Sequence, residues 1–232
     1  MAPHPIADRL QGIRERIAAA AGRAGRDPGS VTLVGVSKTV PPERILEAVE
    51  AGLDDRGENR VQEARDKAPL LPGTVRWHLV GHLQANKANH AARLFRVVHS
   101  IDSVDVLERL ERAAEREGRR LTALAQVDLA GEATKYGARV GELDRILETA
   151  AGLRCVELSG LMILPPYDPD PGRSRPYFRR LRELLQQAQG RHAGLSLRHL
   201  SMGMTEDFEV AIEEGATMVR VGRALFGERR EA

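Results

Sequence analysis

A lysine closes the apolar run in "TLVGVSKTVPPERI" (residues 32–45), at Lys38. A buried ammonium is costly unless it is paired or deprotonated. Of the 35 basic residues, four are lysines (Lys38, Lys67, Lys87, Lys135) and the other thirty-one are arginines. A lysine kept against that bias points to chemistry that a guanidinium cannot do, namely attack of a primary amine on a carbonyl to give a Schiff base. A solvated lysine snorkelling from a strand end is the plainer alternative. Two further stretches, "HLSMGMT" and "MVRVGRALFG", place Gly203 and Gly222 at strand ends just before helices. Glycine lets a ligand approach the backbone, and a helix start offers unpaired N–H groups, so the pair suggests a phosphate site to which Ser201 could add a hydroxyl. Tight strand-to-helix turns would also use these glycines. Pyridoxal 5′-phosphate carries both the aldehyde and the phosphate that these features would take. Arg220, two residues before Gly222, shares its strand face and could donate to the pyridine nitrogen. A cation there disfavours protonation of that nitrogen and weakens the ring as an electron sink.

Those residues need a frame that gathers strand ends. After an amphipathic helix over about residues 6–24, short apolar runs alternate with helical segments. The runs are Val31–Ser37, a weaker one around Asp54–Gly57, Val75–Gly81, Val97–Ile101, Leu121–Leu129, Val156–Leu164, His199–Met202 and Met218–Val221. Helices are expected to begin near Pro42, Asn59, Gln84, Val104, Val140, Arg173, Thr205 and Arg223. Alternation of this kind implies parallel pairing, and eight units fit a small (β/α)8 TIM barrel with an extra N-terminal helix. A doubly wound open sheet is the alternative. No linker divides the chain, so residues 1–232 are expected to form a single domain.

In a barrel, the C-terminal ends of the strands form the site. That rim collects Lys38, Glu58, Asn59, His82, Asp102, Lys135, Met162, Ser201, Gly203, Gly222 and Arg223. Glu58 either points into the barrel or caps the next helix. His78 and His82 are four apart, but they lie in a strand-like run with no carboxylate or third histidine nearby in sequence, so no metal site is expected.

Composition narrows the class further. Basic and acidic residues number 35 and 33, giving a net charge of +2 spread along the chain, which is no nucleic-acid footprint. The single cysteine, Cys155, permits no internal disulfide and fits a reducing, cytoplasmic compartment. The N-terminus lacks an apolar signal core, and no apolar run is long enough for a membrane span.

The stretches "VGVSKT", "GENRVQEA", "WHLVGHLQANK", "HSID", "TKYG", "GLMIL", "LSMGMTEDFEVAI" and "GATMVRVGRALFG" occur in this order. Together they closely resemble the pyridoxal phosphate homeostasis protein family, whose fold is that of the alanine racemase N-terminal domain, over about residues 8–228. The resemblance implies a fold-type III pyridoxal phosphate barrel with Lys38 as the lysine that carries the cofactor. It implies phosphate-binding positions at Ser201, Gly203, Gly222 and Arg223, with backbone amides as donors. It also puts Arg220 at the ring nitrogen, Asn59 in the pocket and Lys135 near it. Arg56 and Arg60 stand where relatives often have an aromatic residue and a tyrosine, and His82 where many have proline, so a change in rim polarity is expected.

A racemase needs a base on each face of the cofactor, and in fold-type III enzymes the second comes from an added domain and a partner subunit. This chain ends soon after "RALFG" and offers no clear second base. The expected function is therefore to hold pyridoxal phosphate and deliver it to apo-enzymes, as a monomer. A racemase or lyase of the same fold is the alternative.

Overall fold

The computed structural model describes residues 5–131 and 136–227. The strands, in chain order, are β1 (Thr32–Val36), β2 (Asp55–Glu58), β3 (Arg76–Leu79), β4 (Val97–Ile101), β5 (Leu121–Asp128), β6 (Ala138–Arg139), β7 (Val156–Met162), β8 (His199–Ser201) and β9 (Met218–Val221). All pairings are parallel, in the order β4-β3-β2-β1-β9-β8-β7-β5-β6, and β4 also pairs with β5. That last pairing closes eight strands into a (β/α)8 TIM barrel and excludes the open sheet. The two-residue β6 lies outside the ring, paired to the end of β5 through Val127–Ala138 and Asp128–Arg139. It was not expected from the sequence, because two residues leave no periodic signal.

The helices are α1 (Ile6–Arg23), α2 (Pro42–Glu50), α3 (Val61–Lys67), α4 (Ala88–Leu94), α5 (Val104–Arg116), α6 (Val140–Ala150), α7 (Arg175–Arg191), α8 (Phe208–Glu213) and α9 (Arg223–Phe226). Helix α1 buries Ile6, Leu10, Ile13 and Ile17, at the three- and four-residue steps of one face, and packs against α2, α8 and α9. Three helix starts differ from expectation. The helix placed near Asn59 begins at Val61, with Arg60 before it and no side-chain cap. The helix placed near Gln84 opens as a 3-10 turn over Ala85–Lys87. The helix placed near Thr205 begins at Phe208, after a turn in which Asp207 accepts from the Met204 N–H at 2.7 Å.

Alternation along each strand sorts side chains into two layers. A Cβ on Gly57 would meet Val34, Val36 and Val80, whereas one on Gly35 would meet Leu225, Leu53 and Arg56. Val34 and Val36 therefore share the inward register of β1, and Leu33 and Gly35 the outward one; the same alternation, carried past the strand end, would place Ser37 outward and Lys38 inward. Register pairs Val34 with Arg220, Gly57 with His78, and Met162 with Ser201 and Ser201 with Met218, which puts these side chains inside as well. Leu124, Met162 and Met218 form a small apolar cluster within the ring, with Leu164 packed against it, separate from the large core between strands and helices.

Candidate functional site

Strand β1 lies between β2 and β9, so the chain leaving β1 at Lys38 runs beside Asn59 after β2 and Gly222 after β9. Contact is close: a Cβ on Gly222 would lie 3.3 Å from the Val36 carbonyl oxygen. A Cβ on Gly81 would come within 2.3 Å of the Asn59 carbonyl oxygen, so the β3 end can lie against Asn59 only as glycine. Lys38 and Asn59 are both half-buried.

The turn that carries Lys38 is clamped from outside the barrel. Lys67, on α3, donates from Nζ to the Ser37 carbonyl at 2.7 Å, to Glu58 Oε1 at 2.9 Å and to Glu63 Oε1 at 2.7 Å. Ser37 Oγ donates to the same Glu58 oxygen at 2.7 Å. The Thr39 N–H donates to Glu63 Oε1. Both peptide groups that flank Lys38 are thus tied to one cluster of charges. Thr39 has φ of 62°, and it is the one non-glycine residue with positive φ among the described residues. A β-branched residue in that region is strained and persists only where its surroundings hold it. Glu58 is fully buried and neither caps α3 nor points into the barrel, because its parity on β2 is outward. Burial holds its carboxyl above the ordinary range, against the opposing pull of Lys67. Burial also acts to raise Glu63, but hydrogen bonds from Lys67 and Thr39 outweigh it and hold that carboxyl below the ordinary range.

Across the rim, Gly203 has φ of +92° and touches α8 so closely that a Cβ would lie 2.6 Å from Ala211 Cβ and 2.8 Å from Phe208 Cα. Its carbonyl accepts from the Arg220 N–H at 3.0 Å. The N–H groups of Gly203, Gly222 and Arg223 have no acceptor among the described residues. The Arg223 side chain turns outward to Glu206, at 3.0 Å.

The floor is polar. Arg220 is buried, donating from one terminal nitrogen to Ser201 Oγ at 2.6 Å and from the other to the Ile163 carbonyl at 2.9 Å. Burial lowers its pKa to about 10, which leaves it a cation at neutral pH. Ser201 Oγ also meets His99 Nδ1 at 2.8 Å, so this hydroxyl faces the barrel interior. In this structure the Ser201 hydroxyl is thus engaged with Arg220 and His99, and the free donors at these strand ends are backbone amides. Met162 is fully buried in the inner apolar cluster rather than at the rim.

His82 stacks on Tyr136, with ring centroids 3.7 Å apart and planes 7° from parallel. Its Nδ1 lies 3.0 Å from Asp102 Oδ2, off the line of a hydrogen bond. Burial raises the Asp102 carboxyl above its ordinary range, and His82 opposes that shift. The rim expectation for Arg56 fails, since it faces outward and is fully buried beneath the helices, while Arg60 is exposed. Lys135 lies outside the described residues. Among the described residues no group of three or more His, Cys, Asp or Glu could hold a metal, and no helix is long and apolar enough to cross a membrane.

Sequence reasoning passed over Lys67, Glu63, Asp55 and His99. The i,i+4 spacing of Glu63 and Lys67 on a short helix was visible, but their burial was not. His99 is wholly buried, and burial first, with the Arg220 cation acting in the same direction, keeps its pKa well below the ordinary value. The unfolded chain therefore binds a proton there that the folded chain refuses. Stability is full above the unfolded histidine pKa and falls as pH drops below about 6.5, at up to about 1.4 kcal/mol per pH unit. Thermal melts from pH 7.5 to 5 are expected to show this decline, with a shallower slope in His99→Gln. A wild-type melt unchanged down to pH 5 would contradict it.

Known proteins resemble this chain in sequence and in fold. The family model described as alanine racemase, N-terminal domain, matches residues 9–230. A pyridoxal phosphate homeostasis protein from Aquifex aeolicus is 44% identical over 224 residues, covering 96% of this chain and 98% of that protein. Its namesake from Escherichia coli K12 is 39% identical, covering 97% of each chain. The structure of PipY from Synechococcus elongatus, solved with pyridoxal phosphate bound, superposes with a TM-score of 0.85 at 39% identity, covering 96% of this chain and all of that one.

Proposed function

We propose that this chain, which belongs to the pyridoxal phosphate homeostasis protein family, holds pyridoxal 5′-phosphate covalently through the ε-amine of Lys38 and hands it on to apo-enzymes. The observation that carries the reading is the placement of Lys38. It is half-buried two residues beyond the end of β1, and the amides of Gly203, Gly222 and Arg223, which have no acceptor among the described residues, lie on the two strand ends that follow β1 round the ring.

The residues fit the cofactor in chemistry as well as in position. Gly203 and Gly222 present N–H groups that no Cβ shields, as a phosphate requires. Arg220 is locked by two hydrogen bonds and keeps further N–H groups for a ring nitrogen. Asn59, inward-facing after β2, lies beside the lysine. His82 and Tyr136 form a stacked wall against Asp102 at the ends of the third and fourth strands.

When bound, pyridoxal phosphate supplies an aldehyde that condenses with a primary amine and a ring that can draw electron density from it. Arg220 works against the second property, because a fixed cation at the ring nitrogen keeps a proton off that nitrogen. Lys38 holds; Arg220 restrains. That pairing suits storage better than turnover. One barrel spans the described residues, in keeping with a single domain over 1–232. The single half-buried cysteine suits a cytoplasmic protein.

The test is an absorbance spectrum before and after borohydride, followed by peptide mapping. The expected result is a band near the visible edge that reduction removes, with the label on Lys38. A protein that stays colourless on reconstitution, or a label on Lys67 or Lys87, would overturn the assignment. Racemisation of alanine at the rate of a dedicated enzyme would favour the racemase reading over the carrier.

A further inference from the structure

Five side chains far apart in sequence are joined in one line across the barrel interior. Asp55 Oδ1 lies 2.9 Å from His78 Nε2, and His78 Nδ1 lies 2.9 Å from His99 Nε2. His99 Nδ1 lies 2.8 Å from Ser201 Oγ, which accepts from Arg220 at 2.6 Å. His78, His99, Ser201 and Arg220 are all buried. Four separate strands, β3, β4, β8 and β9, each contribute one of these four, and β2 contributes Asp55.

The two ends of the line fix its direction. Arg220 can only donate, so Ser201 accepts from it and keeps its single hydrogen for His99 Nδ1. His99 must then carry its hydrogen on Nε2 and donate it to His78 Nδ1. His78 in turn carries its hydrogen on Nε2 and gives it to Asp55. That carboxylate is an anion at neutral pH, since Arg76 donates to both of its oxygens, at 2.9 Å and 2.6 Å. Every donor meets one acceptor, with a cation at one end and an anion at the other. An opposite polarity would require a charged His78, and the full burial of His99 and the nearby Arg220 cation disfavour a second positive charge there.

We infer that Asp55, acting through His78, His99 and Ser201, is the positioning system for Arg220: a one-way hydrogen-bond chain that fixes both histidine tautomers and holds the guanidinium still beneath the rim. The chain itself stands on the geometry alone. Its consequence, that Arg220 meets a cofactor ring nitrogen in one fixed orientation, rests on the function proposed above. Ser201 then serves the arginine and not the phosphate.

The test is ¹⁵N-histidine labelling, with two-bond ¹H–¹⁵N correlation spectra of the protein prepared without and with pyridoxal phosphate. The expected result is that His78 and His99 are both neutral and both protonated on Nε2. A His99 protonated on Nδ1, or a charged His78, overturns the inference. In His78→Phe the Arg220 end still sets the direction, so His99 is expected to stay protonated on Nε2, while the Arg220 guanidinium N–H signals exchange faster because the line no longer reaches Asp55. A His99 hydrogen moved to Nδ1, or unaltered exchange, overturns the inference. Ser201→Ala removes one oxygen and serves should His78→Phe not fold. There the Arg220 guanidinium N–H signals are expected to exchange at least tenfold faster, and the bound cofactor's absorption band to move, with the Lys38 label retained. Unaltered exchange in Ser201→Ala overturns the inference. Failure of the cofactor reading looks different, because the unmodified protein would then take up no label while its histidine tautomers remained as stated.

Discussion

Lys38→Arg is expected to reduce covalent uptake of pyridoxal phosphate to background while the barrel stays folded. The substitution keeps the positive charge and nearly the length, so it isolates nucleophilicity. A guanidinium stays protonated at any workable pH and offers no free amine. Lys38 is half-buried at a strand end rather than in the core, so the loss of stability should stay near the limit of about 0.5 kcal/mol seen for substitutions at the surface. Any cofactor that still associates would do so through the amides of Gly203, Gly222 and Arg223, and borohydride would not trap it. The measurement is the reduced label counted per chain, alongside a thermal melt. A Lys38→Arg protein that keeps both its colour and its label would move the site to another lysine.

The barrel was legible because each apolar run sits between helix signals, and parallel strands buried on both faces read as continuous apolar segments. Lys38, Gly203, Gly222 and Arg220 stood out for a similar reason. Each is an unusual residue type at a strand end, and strand ends converge in a barrel. The misreadings share a cause. Glu58 and Arg56 were placed at the rim because β2 was located without its parity, and a single step along a strand moves a side chain from the lumen to the helix layer. Met162 and Ser201 were placed on the right strands, but their depth within the barrel depends on the stagger between strands, which no local pattern reports. The line from Asp55 to Arg220 depends on five strands brought together by closure of the ring. Neighbours bonded along it lie as many as 102 positions apart in the chain, between His99 and Ser201, so spacing carries no trace of it.

Two charge systems thus bear on the rim from opposite sides. The interior chain ends at Arg220. The exterior cluster of Lys67, Glu58 and Glu63 ends at the peptide groups on either side of Lys38. Each uses groups buried in the fold to hold one residue at the strand ends, and neither is made of residues that a pocket would display. Precise placement of a site residue needs such support from groups behind it.

Removing the exterior support should have the largest effect on stability of any single lysine substitution. Lys67→Met deletes the ammonium shared by the Ser37 carbonyl, Glu58 and Glu63 and leaves Glu58 buried without a cation. The side chains of Lys67 and Glu58 are 10% and 0% exposed, so solvent cannot compensate. Breaking such a pair by removing one partner costs about 3–5 kcal/mol. In a chain of this size that corresponds to a fall in Tm of roughly 10 °C. The pH dependence has a definite sign. Without Lys67, burial is left to push the Glu58 carboxyl up unopposed, above its unfolded value, so the variant is relatively more stable at low pH and loses that stability as pH rises through the folded pKa. Thermal melts of Lys67→Met should therefore gain less stability from pH 5 to pH 8 than wild type does, because the loss from Glu58 grows with pH while the opposing His99 contribution is common to both proteins. Glu58→Gln added to Lys67→Met removes the buried charge and should recover much of the loss, whereas Lys87→Met, on a half-buried lysine with no such cluster, should change stability by no more than about 0.5 kcal/mol. Uptake of the covalent label should also slow in Lys67→Met at a temperature where it is fully folded, because the Ser37 carbonyl loses its donor and Glu63, which accepts from the Thr39 N–H, loses the cation that holds it. Equal melting temperatures for Lys67→Met and Lys87→Met would show that the cluster holds nothing in place.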